Sequence, residues 1–68
     1  MMSRLEAAAK RLRATLAEER RVLTIGVRER SERIVVYVKE PGAPVPLRWQ
    51  GFPVDTIVMR LDAVRGEP

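Results

Sequence analysis

Residues 16–27 read Leu16-Ala17-Glu18-Glu19-Arg20-Arg21-Val22-Leu23-Thr24-Ile25-Gly26-Val27, and within them the spacing of apolar side chains changes. Upstream, Leu5, Ala8, Ala9, Leu12 and Leu16 fall at steps of three, one, three and four, one face of an amphipathic helix. From Val22 onward Leu23, Ile25 and Val27 alternate with Val22, Thr24, Gly26 and Arg28, which is the period of a half-buried strand. A helix stripe handed over to a strand stripe predicts an α+β domain.

Working backward, Ser3-Arg4-Leu5-Glu6 matches a capping box, in which Ser3 accepts the Glu6 amide and Glu6 reaches back to the Ser3 amide. Arg20 and Arg21 suit the negative pole of the helix dipole, so the helix is expected over 4–20. Working forward, Glu29-Arg30-Ser31-Glu32-Arg33 is polar, and Ile34-Val35-Val36-Tyr37-Val38-Lys39 is β-branched and aromatic. Strands over 22–29 and 33–39 joined by so short a link imply an antiparallel hairpin. Residues 41–55 hold four of the five prolines with Trp49 and Phe52, and read as a long loop. A third strand is expected over 56–64, with Ile57, Met59, Leu61 and Ala63 on one face.

The expected architecture is one two-layer domain, α-β-β-β. The helix stripe covers a wall of Leu23, Ile25, Val27, Ile34, Val36, Val38, Ile57, Met59 and Leu61. The third strand could pair with either of the others. The opposite sheet face would carry Val22, Thr24, Gly26, Arg28, Val35, Tyr37, Lys39, Val58, Arg60, Asp62 and Val64, too apolar for an ordinary wet surface. The cover would be the Trp49/Phe52 loop, a second subunit, or both. Trp49 is expected on a platform of Tyr37, Val35 and Val58, or inserted in the same way into a neighbouring subunit.

Composition narrows the chemistry. A 68-residue chain without cysteine or histidine has no disulfide and no thiolate or imidazole mechanism. Domains this small are marginal unless a staple or a partner helps. The hydroxyls Ser3, Ser31, Thr15, Thr24 and Thr56 have no base to activate them, and nearly every carboxylate has an Arg or Lys neighbour. Glycines at 26, 42, 51 and 66 form no phosphate-cradling loop, and no Asp cluster would hold a hard cation. The expectation is a non-enzymatic protein with no cofactor and no metal.

Net charge is +4, of which residues 3–21 contribute six positive and three negative charges. Two functions follow. The first is self-association (a dimer or larger) or docking of another protein through Val35, Tyr37, Val58, Trp49 and Phe52. The second is nucleic-acid binding by Arg4, Lys10, Arg11, Arg13, Arg20 and Arg21. The interleaved Glu6, Glu18 and Glu19 favour a solvated face over that second function. An enzyme subunit completed by another chain is a third reading. No membrane span or signal peptide is read; scarce Asn and Gln, with proline in one loop, fit a heat-adapted cytoplasmic protein.

Ile25-Gly26-Val27, then Val35-Val36-Tyr37-Val38, then Pro46-Leu47-Arg48-Trp49-Gln50-Gly51-Phe52-Pro53-Val54 resemble a short α/β module of uncharacterised bacterial proteins. A similar module precedes some trypsin-like protease domains. The resemblance spans about 22–56 and implies no catalytic residues; Gly26 stands alone where such modules often carry a second glycine.

Overall fold

The computed structural model describes residues 3–59, which form one small α+β domain. Helix α1 spans Arg4–Thr15 and starts on the expected cap: Ser3 Oγ accepts from the Glu6 amide at 3.1 Å, and Glu6 Oε1 from the Ser3 amide at 3.5 Å. It ends five residues short of the expected Arg20. Glu18 and Glu19 would put two carboxylates at the negative pole of a longer helix. Glu19 instead takes the Arg21 guanidinium at 2.8 Å, a pair two residues apart that a helix would hold on different faces. Arg21 also donates to the Gly42 carbonyl at 3.0 Å, fastening the turn to the loop after β2.

Four strands follow instead of the three expected: β1 Val22–Arg28, β2 Arg33–Val38, β3 Arg48–Trp49 and β4 Phe52–Val58. The sheet order is β1-β2-β4-β3. β1 and β2 form the antiparallel hairpin, β2 and β4 are parallel, and β3 and β4 are antiparallel. β4 therefore slides in between β2 and β3, and the third-strand question resolves as a parallel pairing with β2. The expected strand over 56–64 begins earlier, at Phe52, and its residues 60–64 lie outside the described residues.

One bulge and one departure from the expected phase change which residues face the helix. A bulge between Val22 and Thr24 leaves Leu23 without a cross-strand partner. Val22 thereby joins the helix side and packs on the core, while Leu23 is 43% exposed. In β4, Val54 pairs with Ile34 and Val58 with Val38, so Phe52, Val54, Thr56 and Val58 share the helix side. Ile57, opposite Tyr37, points the other way. This is the reverse of the expected phase, and a one-residue slip is enough to cause it.

The slip comes from an unread turn. Gln50 and Gly51 both have positive φ, 51° and 88°, between the paired Trp49 and Phe52. That is a two-residue type I′ hairpin, and it fixes β4 from its first residue. Glu32 closes the β1–β2 link with φ 54°. Both side-chain-bearing residues bear a left-handed cost that glycine or asparagine would lessen. Glu32→Gly and Gln50→Asn are each expected to stabilise the domain by up to about 1 kcal/mol, read as a higher urea midpoint at unchanged slope.

The core lies between α1 and the sheet: Leu5, Ala8, Ala9, Leu12 and Leu16 against Ile25, Ile34, Val36, Val38 and Val54. Leu12, Ile34, Val36 and Val38 are fully buried. Among the described residues no helix is long and apolar enough to cross a membrane.

Candidate functional site

With the phases corrected, the second sheet face carries Thr24, Gly26 and Arg28 from β1 and Arg33, Val35 and Tyr37 from β2. Pro53, Asp55 and Ile57 from β4 complete it. Val35 sits at its centre and is buried, 2% exposed, although it belongs to no helix-side cluster. Tyr37, Pro53 and Ile57 around it are half-buried. Val22 and Val58 have left the expected face, and Ile57 and Pro53 have joined it together with the charged Arg33 and Asp55.

An ion pair crosses this face. Arg33 donates Nε and Nη2 to the two Asp55 carboxylate oxygens, both at 2.8 Å, a bidentate fork between adjacent strands. Arg28 lies directly opposite Arg33. Like charges so placed repel, and Asp55 is what makes the pair of arginines tolerable. Hydrogen bonds from Arg33, helped by the charges of Arg33 and Arg28, hold the Asp55 carboxyl below its usual range. A depressed carboxyl supplies stability above its unfolded pKa, about 3.9, and loses it as pH falls through the folded value. The denaturation midpoint of the parent should therefore drop toward low pH more than that of Asp55→Asn, and the two should converge once Asp55 is protonated. Parallel curves from pH 6 to 2 would show that the fork contributes nothing.

Trp49 and Phe52 are not on this face. Trp49 donates its indole N–H to the Ala8 carbonyl of α1 at 2.9 Å, and both rings pack against the helix-side core. The expected platform of Tyr37, Val35 and Val58 is also divided, since Val58 lies on the helix side of β4 and is 39% exposed. Trp49 is a structural anchor within this chain, as its apolar surroundings suggest, but it closes the opposite side of the sheet. The Gln50-Gly51 turn, which sets Trp49 beside Phe52, was the available signal.

The cationic set also divides. Arg13 donates to the Ile25 carbonyl at 2.8 Å, docking α1 on β1, and Arg21 is held by Glu19 and Gly42. Arg4, Lys10, Arg11 and Arg20 are exposed and form no ion pair among the described residues. Glu19 is held below its usual range by hydrogen bonds from Arg21.

A hollow of about 450 Å³ opens where the start of α1 meets the two turns, bordered by Arg4, Glu6, Glu29, Glu32 and Gln50. Glu6 is engaged in the cap. Among the described residues no three carboxylates come together in a way that could hold a metal. Compared with known proteins, the chain matches no family model, and no curated protein and no solved structure is significantly similar to it.

Proposed function

We propose that the chain is a non-enzymatic docking module whose second sheet face receives a second copy of itself or another protein. Gly26 carries this reading. A glycine inside a strand weakens it, through backbone entropy and the missing side chain. Gly26 has no positive φ, and a Cβ built on it would meet nothing within 4 Å. Neither conformation nor crowding within this chain calls for glycine there; close approach by another backbone does. Tyr37, Ile57 and Pro53 supply a half-buried apolar surround on the face that α1 leaves uncovered. Trp49 and Phe52 are committed to the core, so they lend nothing to this docking surface. No catalytic group, cofactor or metal enters the proposal.

Light scattering should give a dimer or larger at micromolar concentration, little weakened by salt because the contact is mainly apolar. Gly26→Val should remain folded and become monomeric. A monodisperse monomer across the concentration range overturns self-association. A variant as associated as the parent removes Gly26 from the contact.

The exposed Arg4, Lys10, Arg11 and Arg20 support nucleic-acid binding as a second reading. Four phosphate contacts on B-DNA would give a slope of log K against log salt of about −3.6. Arg11→Glu should then weaken binding to all sequences alike. No retention on polyanions at low salt excludes it.

A further inference from the structure

β1 is an edge strand of seven residues with no proline and a single charge, Arg28, at its end; beyond its bulge at Val22–Thr24 the edge is regular from Thr24 to Arg28. Edges of this kind are templates for another strand unless something blunts them. The Ile25 carbonyl takes its hydrogen bond from Arg13, not from β2, so it points off the sheet. Backbone groups alternate in direction along a strand, which places the Ile25 amide and both backbone groups of Val27 on the same open side.

Beside this edge, α1 and β1 enclose two hollows. One, of about 270 Å³, is lined by Glu6, Ala9, Lys10, Arg13, Gly26 and Val27. The other, of about 190 Å³, is lined by Arg13, Leu16, Val22 and Ile25. Arg13 stands between them and lines both. It spends one N–H on Ile25, and a guanidinium has five.

We propose that this edge and groove receive an extended peptide segment of a partner protein as an added strand. The segment would carry apolar, acidic and apolar side chains at alternate positions. The geometry sets that order. The residue paired with Ile25 projects toward the helix side, as Ile25 does, and meets Arg13; its carboxylate takes the remaining donors. Residues two positions away on either side point the same way and enter the two hollows. Main-chain bonds give the affinity, and the alternate side chains give the selection. A second copy of this chain fits less well, because its own β1 would bring Ile25, an apolar side chain, against Arg13. The edge adjoins the second sheet face at Gly26, which also lines the first hollow, but the proposal rests on the open edge and on Arg13 and not on that face.

The test is a fluorescein-labelled heptapeptide reading Thr-Leu-Thr-Glu-Thr-Leu-Thr, titrated by polarisation against the full chain. It should saturate and slow hydrogen exchange at the Ile25 and Val27 amides. A twin with Gln for Glu should bind about 10-fold more weakly, the loss expected for a charge-assisted hydrogen bond. A twin N-methylated on alternate residues should not bind. Arg13→Glu, at an exposed position, should reverse the preference toward a Lys-bearing peptide. No saturation, equal binding of the Gln twin, or equal binding of the N-methylated twin overturns the proposal. So does protection of Ile25 and Val27 that grows with protein concentration while no peptide binds, which would assign the edge to a second copy.

Discussion

Replacing Trp49 with alanine is expected to destabilise the domain by about 3 kcal/mol, the lower end of the range for a large aromatic in a core, because the ring is only half-buried. Two losses combine. The ring leaves the helix-side core that it shares with Phe52, and the tether from its N–H to Ala8 disappears. That tether joins residues 41 positions apart, the outer edge of the sheet to the middle of α1. Trp49→Phe keeps most of the apolar surface and drops the donor, so it should cost only about 1 kcal/mol for the hydrogen bond, plus a little packing. In the parent, indole emission should be blue-shifted and iodide should quench it poorly. Red emission with free quenching, and an alanine variant as stable as the parent, would release Trp49 from its structural role and offer it as a ligand contact.

The second large effect is expected at Leu12. It is fully buried at the centre of the α1 stripe, where the helix meets β1 and β2. Leu12→Ala should cost about 3–5 kcal/mol by transfer and cavity together. A chain of this length holds about 3–10 kcal/mol in all, so the variant should lose roughly a third or more of its stability. Alanine is the better helix former, so any loss comes from packing against a contrary propensity. A variant within about 1 kcal/mol of the parent, by urea melts followed in the far ultraviolet, would mean that the layer closes without this contact.

The helix start, the β1–β2 hairpin and the core stripe were readable because each is local. Ser3 and Glu6 lie three residues apart, and Ile34, Val36 and Val38 alternate on one strand. What the sequence concealed depends on one turn and one bulge. Gln50-Gly51 lacks the Asn-Gly or Asp-Gly pair that usually announces a type I′ turn, so β3 and the first half of β4 read as loop. With that register hidden, alternation puts Ile57 and Val58 on each other's faces. Leu23 looked like core because alternation cannot show an inserted residue. On the candidate site, alternation alone puts Tyr37 and Val35 on the correct face. The Arg33–Asp55 fork is not legible, since its partners are 22 residues apart and meet only through a parallel pairing.

The insertion of β4 between β2 and β3 also bears on how the chain comes together. β2 is the most buried strand and contains Ile34-Val35-Val36-Tyr37-Val38, a run of β-branched and aromatic residues without charge or proline. During synthesis the β1–β2 hairpin can form as soon as residue 38 emerges, leaving the other side of β2 unpaired. Its mate arrives only with residues 52–58 and must enter as part of the β3–β4 hairpin, after a loop has closed. Segments of this composition, held open in this way, are those that stack into cross-β aggregates. Chains that stop before residue 52 would then be recovered as insoluble material, while the prolines at 41, 44 and 46 shorten the search by stiffening the loop that delivers β4.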